Sequence, residues 1–293
     1  MSQIRIVEVS PRDGLQNEDV TVPTGLKANF ISALLHSGLN EIEVSSFVSP
    51  KWVPQLGDIA ELWPLLPPGG IYSALVPNEK GLERATELGV DRIAVFTAAS
   101  DAFTQKNINM SVDQSLEVFA KIREAHKGFI RGYVSTIFEC PYAGLIEPVQ
   151  VRRVVDRLFE IGVDEVSLGD TIGVGVPNEV HKLVKELSGL PKEKVVWHFH
   201  DTRGTAIANV AVALESGYSA FDSSAGGLGG CPYAKGAGGN LATEDLLYFA
   251  DRMGLKTGVD LGALSEASLP ILECLRKSPT AKAQVATLAS SLH

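Results

Sequence analysis

Four stretches of the chain share one pattern: a helix-period run, a glycine, two or three polar or turn residues, then a short run of strand character. They span 36–44, 87–95, 160–168 and 215–223, with the glycines at Gly38, Gly89, Gly162 and Gly217. The residue just past a helix often takes the left-handed conformation, which costs glycine least, so each cassette reads as helix, stop, strand. Extending the pattern predicts eight strands near 4–9, 40–46, 71–76, 91–97, 130–138, 163–169, 195–200 and 219–224. Helix-period stretches lie between them, among them 23–35, 111–125, 148–161 and 177–187, several with proline in the first turn.

Strands alternating with helices imply a parallel sheet with right-handed crossovers, and eight such units fit one closed (β/α)8 TIM barrel. The competing open doubly wound sheet asks for a G-x-G-x-x-G turn after the first strand. This chain has Ser10-Pro11-Arg12-Asp13-Gly14 there instead. With no linker or low-complexity tract to divide it, the chain is read as one domain over 1–293. The barrel occupies about 3–254, and a helical C-terminal appendage occupies about 255–293.

Composition narrows the function. The 293 residues are 45% hydrophobic and 21% charged, enough for a sizeable core and against wholesale disorder. Lys and Arg number 26 against 35 Asp and Glu, a net charge of −9, which argues against a general nucleic-acid or membrane-surface binder. It leaves room for a small anionic substrate met by a few local cations. No apolar run approaches the roughly 18 residues of a membrane span. The N-terminus reads directly into a strand, so a cytoplasmic protein is expected. Three cysteines, Cys140, Cys231 and Cys274, lack zinc-site spacing and suit a reducing compartment better than a disulfide framework.

In a barrel the residues just past each strand's C-terminal end build the active site. The first strand ends in Arg12 and Asp13, the second carries Glu43, and the sixth ends in Asp170 and Thr171. The seventh ends in His198-Phe199-His200, and the eighth runs into a glycine-rich loop, 226–240, that holds Cys231 and Asn240. Strand side chains alternate, so His198 and His200 share one face while Val195, Trp197 and Phe199 share the other. The apolar set suits the helices, which turns both imidazoles toward the barrel axis. By the same parity Glu41, Glu43 and Ser45 face inward. Glu41 is read as an ion-pair partner near the barrel floor, and Glu43 as a group that orients Arg12 or moves a proton.

Two imidazoles, a carboxylate such as Asp13 and an amide oxygen from Asn240 give a mixed nitrogen and oxygen donor set. Its hardness favours Mg²⁺ or Mn²⁺, while the two imidazoles leave zinc or cobalt open. Glycine as dense as in 226–240 marks a lid or a close approach to ligand. Cys231, among backbone amides and near Lys235, is expected to serve as acid or nucleophile. Cys140, Cys274 and the remaining histidines are read as structural.

These residues resemble a known family. The runs 8–18, 167–173 and 198–202 and the loop around Cys231 resemble hydroxymethylglutaryl-CoA lyases, in order along nearly the whole chain. The resemblance implies a carbon–carbon lyase that cleaves 3-hydroxy-3-methylglutaryl-CoA to acetyl-CoA and acetoacetate. It implies Asp13, His198, His200 and Asn240 as metal ligands, Arg12 as the substrate-carbonyl residue and Cys231 as the catalytic loop cysteine. Glu43, Gln16 and Asp170 fall at positions near the substrate. A homodimer that takes a small acyl-CoA, without nucleic acid or membrane, is also implied.

Two relatives of that chemistry stay open. One is a lyase for a bulkier 3-hydroxy-3-alkylglutaryl-CoA. The other is a Claisen-condensing synthase of the same superfamily, which typically carries a Gly-Glu-Arg-Ala-Gly-Asn type of loop where this chain has Cys231-Pro232-Tyr233-Ala234-Lys235. A metal-dependent hydrolase would need His-x-His on the first strand, where Arg12 and Asp13 stand. A binding protein without activity is disfavoured by the intact Cys231 loop. The tail after about 280 carries no motif that aligns.

Overall fold

Eight parallel strands close into a ring in chain order in the computed structural model, which describes residues 3–229 and 239–290. They are β1 (Arg5–Glu8), β2 (Glu41–Ser46), β3 (Ile71–Leu75), β4 (Arg92–Ala98), β5 (Phe129–Ser135), β6 (Glu165–Asp170), β7 (Val195–Phe199) and β8 (Ala220–Ser223). Pairing of β1 with β8, from Arg5 against Ala220 to Glu8 against Ser223, closes the barrel. All eight strands lie where the hydrophobic pattern places them.

The helices follow in order: α1 (Thr24–His36), α2 (Ile59–Leu62), α3 (Glu79–Glu87), α4 (Asp101–Ile108), α5 (Val112–Ala125), α6 (Pro148–Ile161), α7 (Pro177–Glu186), α8 (Ala206–Glu215) and α9 (Thr243–Arg252). Their ends are written locally. Ser111 caps α5 in a reciprocal box with Gln114, and α6 stops where Gly162 takes φ 95°. The crossover from β2 to β3 is the exception, since prolines at 50, 54, 64, 67 and 68 reduce it to short turns. Buried Lys27 of α1 holds that segment, donating to the Gln55 carbonyl and to Asp58 Oδ1 at 2.9 Å.

The apolar core lies between strands and helices, with Val166, Leu168, Trp197, Phe199 and Phe221 facing outward. Trp197 stacks on Phe199 at 5.3 Å and meets Tyr218 edge-on at 5.4 Å. The lower barrel interior is ionic instead. Arg5 bridges Glu41 (2.9 Å) and Glu165 (2.5 Å), Arg92 reaches Glu41 at 3.4 Å, and Arg131 pairs with Asp222. Glu41 is thus an ion-pair partner at the floor, as its position suggests.

One parity expectation is corrected. β2 carries an irregularity between Glu43 and Ser45, so Glu43 sits against Ser73 and Ser45 against Ala74. The bulge interrupts the alternation. Ser45 therefore shares the helix-facing side with Ala74, and its hydroxyl donates to the Leu56 carbonyl at 3.4 Å.

Three further helices, α10 (Leu261–Ala267), α11 (Leu269–Cys274) and α12 (Lys282–Ser290), form the C-terminal appendage. Leu264, Ile271 and Leu272 join the same apolar cluster as Phe30 and Leu34 of α1. Asp260 N–H donates to the Ser37 carbonyl at 2.7 Å, and buried Gln284 bonds Ser265 and Ser268. The appendage thereby buttresses the helix that follows β1. Among the described residues, no helix is long and apolar enough to cross a membrane.

Candidate active site

Directly after β1 the chain coils through a five-residue π-helical turn, Ser10–Gly14, in which the Asp13 and Gly14 amides both reach back to the Val9 carbonyl. π-turns of this kind re-aim side chains at functional sites. This one points Arg12 and Asp13 into the barrel mouth. Gly14 has to be glycine, because a Cβ there would lie 2.8 Å from Ser224 Oγ and 3.0 Å from Leu228 Cβ.

The mouth holds a cavity of about 220 Å³ bordered by Arg12, Asp13, Gln16, Tyr133, His198 and His200, among others. Arg12 is buried and braced on two sides: its Nε donates to Glu43 and its Nη1 to Asp13 Oδ1 at 2.5 Å. Glu43 also accepts from the Tyr133 hydroxyl at 3.0 Å, and the guanidinium lies 5.1 Å from the Tyr133 ring centre. Burial by itself would depress the guanidinium, but Glu43 and then Asp13 outweigh it and hold Arg12 more firmly protonated than usual. The same pairing acts on Asp13. Burial opposes its charge, yet Arg12 and then the two histidines hold its carboxyl well below the ordinary range.

His198 and His200 turn inward from β7, Nε2 to Nε2 at 3.1 Å. His198 Nδ1 donates to Asp222 Oδ2 at 3.0 Å, and Asp222 is in turn held by Arg131 and by the Ser167 hydroxyl at 2.7 Å. This orients the ring and turns His198 Nε2 toward the cluster. Burial, and then His198, push His200 down to about 3, so its imidazole is neutral. Its Nδ1 is buried without a partner among the described residues.

Asp13, His198 and His200 bring ligand-type atoms within 4.8 Å of one another. An ionised carboxylate, the neutral His200 imidazole with its orphaned ring nitrogen, and the His198 ring oriented by Asp222 make a donor set that suits a divalent cation. Asn240 lies against this group through its amide nitrogen, which donates to Asp13 Oδ2 at 2.8 Å and to the Leu228 carbonyl at 3.2 Å. Both neighbours only accept, which fixes the end of the amide that faces them.

The structure thus gathers Arg12, Asp13, Glu43, His198, His200 and Asn240, and Gln16 borders the same cavity. Asp170 stands elsewhere. Glu165, Ser167 and Gly169 are the inward residues of β6, and Gly169 and Thr171 border the cavity. The Asp170 carboxylate instead accepts from the Val174 and Gly175 amides, at 3.1 and 2.9 Å, and holds the following loop. Cys231 and Lys235 lie outside the described residues. Asp222 and Tyr133 are the groups that strand-end reasoning overlooks. Parity along β8 puts Asp222 on the inward face, but nothing in the sequence says which imidazole it meets.

A closed eight-stranded barrel whose C-terminal mouth carries an Arg, a carboxylate and two oriented imidazoles has the build of a metal-assisted barrel enzyme. The chain belongs to the HMGL-like family, whose model matches residues 3–271. It is 48% identical to a 3-hydroxy-3-isohexenylglutaryl-CoA/hydroxy-methylglutaryl-CoA lyase of Pseudomonas aeruginosa, over 99% of this chain and 98% of that one. A crystal structure of hydroxymethylglutaryl-CoA lyase from Pseudomonas aeruginosa superposes with a TM-score of 0.96 at 48% identity, covering 99% and 98%. An HMG-CoA lyase from Acinetobacter baumannii, solved in complex with coenzyme A and 3-methylmalate, does so with 0.90 at 38% identity, covering 95% and 93%.

Proposed function

We propose that the chain is a lyase that cleaves 3-hydroxy-3-methylglutaryl-CoA to acetyl-CoA and acetoacetate. The observation that carries this reading is the joint placement of Arg12, braced by Glu43, and the Asp13, His198 and His200 cluster on one cavity wall. Family membership over residues 3–271 supports it.

Asp13, His198 and His200 would hold the divalent cation, for which the donor hardness favours Mg²⁺ or Mn²⁺. Asn240 would join them through its oxygen once its amide turns. When bound, the cation supplies Lewis acidity that makes the substrate's tertiary hydroxyl easier to deprotonate. Asp13 is one candidate to take that proton and a water at the site is the other. The bond between C2 and C3 then breaks: C3 becomes the ketone of acetoacetate, and the electron pair passes to the thioester as an enolate. Arg12 holds the thioester oxygen as it gains charge, and Glu43 with Tyr133 keeps the guanidinium aimed. Cys231 is proposed, from sequence, to protonate the enolate carbon and complete acetyl-CoA. Gln16 is assigned to substrate contact from its place on the cavity, whereas Asp170 acts through the loop it holds.

A longer 3-alkyl group on the same glutaryl-CoA skeleton is a second reading, favoured by the name of the Pseudomonas aeruginosa relative. We place the protein in the cytoplasm, where the free thiols Cys140 and Cys274 suit a reducing environment, and expect a homodimer in solution. Product analysis by mass spectrometry tests the reaction. Incubation of 3-hydroxy-3-methylglutaryl-CoA with the protein and Mg²⁺ or Mn²⁺ is expected to give acetyl-CoA and acetoacetate in equal amounts. An intact substrate, or net condensation of acetyl-CoA with a keto acid, would overturn it.

A further inference from the structure

Across the barrel mouth from the histidines the wall changes character. β3 and β4 turn Leu75, Ala94 and Phe96 inward, and with Tyr133 and Val48 they form an apolar cluster separate from the helix-facing core. Register sets Leu75 beside Ala94 and Phe96 beside Tyr133, so these side chains share the inner face. In ring order β3 and β4 stand opposite β7 and β8, which carry His198 and Asp222. Leu75 and Phe96 both border the cavity that Arg12, Asp13 and the histidines border. One wall therefore offers charge and ring nitrogens, and the facing wall offers the hydrocarbon of Leu75 and Phe96, with the Tyr133 hydroxyl turned away to Glu43.

A 3-hydroxy-3-alkylglutaryl thioester has four demands at its branched carbon. The hydroxyl and the free carboxylate need polar partners, which the Arg12 and histidine side supplies. The thioester arm must run out through the opening, because the rest of coenzyme A is far larger than a cavity of about 220 Å³. Only the alkyl substituent gains from leaving water for an apolar surface. We propose that Leu75 and Phe96 seat this 3-alkyl substituent and set the chain length that the enzyme accepts. The inference rests on the lyase reading and assigns its acyl specificity to two side chains.

The test is the ratio of kcat/KM for 3-hydroxy-3-isohexenylglutaryl-CoA to that for 3-hydroxy-3-methylglutaryl-CoA. It is measured for wild type, Leu75→Ala, Phe96→Ala and Leu75→Phe, with thermal melting to report folding. Hydrophobic pockets discriminate by about tenfold or more per methylene-sized change. Truncation at either position is therefore expected to raise the ratio about tenfold, and Leu75→Phe to lower it. Phe96→Leu keeps the comparison available if an alanine variant does not fold, and is expected to raise the ratio by a smaller factor. A ratio unchanged across the folded variants, with both substrates falling together, overturns the inference and leaves the lyase reading standing. Wild type that cleaves neither thioester overturns the reading and the inference with it.

Discussion

Arg12 shows how much of the site depends on what surrounds a residue. Its charge is fixed by Glu43 and Asp13, and its direction by Glu43, which Tyr133 itself restrains. Removing one partner of a buried ion pair leaves the other charge uncompensated, so Glu43→Gln is expected to destabilise the fold by about 3 kcal/mol. It should also lower kcat, since the guanidinium loses its anchor, and urea denaturation beside turnover measurements checks both. Asp222→Asn frees the His198 ring, and a carboxylate behind a ligating histidine is typically worth about 10–100-fold in metal affinity. Calorimetric titration with Mn²⁺ is expected to show that weakening, and unchanged binding would contradict the role given to Asp222. Asp13, His198 and His200 are legible because residues past strand ends converge in a barrel. Asp222, Arg131 and Tyr133 are not, because their partners come from other strands and depend on register.

At the scale of the element, the strands are the most legible feature, since glycine stops mark four of them and the apolar pattern the rest. The failures are local and have physical causes. The bulge in β2 reverses the parity of Ser45, and a strict count of two cannot see an inserted residue. Asp170 sits at the end of its strand, but on the outer face, so the strand-end rule without parity misplaces it. The π-helical turn after β1 is invisible in the hydrophobic pattern, yet it aims two functional side chains. Gly14→Ala tests that turn. The added Cβ would press on Ser224 and Leu228, and overpacking of this kind costs about 1–3 kcal/mol. Reduced thermal stability with a larger loss of turnover than of metal binding is the expected outcome.

Across the whole molecule, the net charge of −9 sets an unfavourable field for a polyanionic thioester. Binding therefore has to come from local groups such as Arg12. Two buried carboxylates fasten the root of the segment after β8: Glu8 accepts from the Ala225 amide and Glu244 from the Gly226 amide, both at 2.9 Å or closer. Burial, with repulsion from Glu8 added, pushes Glu244 up to about 8 despite those bonds. A carboxyl whose folded pKa exceeds its unfolded value binds protons more tightly when folded. Its contribution is thus complete below about pH 4.5 and is lost as pH rises toward 8. Stability is expected to fall across that window, by up to about 1.4 kcal/mol per pH unit from this group. Glu244→Gln should flatten the slope, as denaturation midpoints taken at several pH values would report.

On the lyase reading, one wall of the barrel mouth breaks a carbon–carbon bond with the help of a divalent cation. Release of acetoacetate and acetyl-CoA from 3-hydroxy-3-methylglutaryl-CoA, followed in wild type, His198→Ala and Cys231→Ala, tests it most directly. Chelator-treated wild type should be silent and recover with Mg²⁺ or Mn²⁺, while His198→Ala stays silent at the same metal concentration. Cys231→Ala should keep metal binding but lose turnover by roughly 10²–10⁴-fold, the usual contribution of a general acid. Equal cleavage by the chelated enzyme, or by His198→Ala, would contradict the claim.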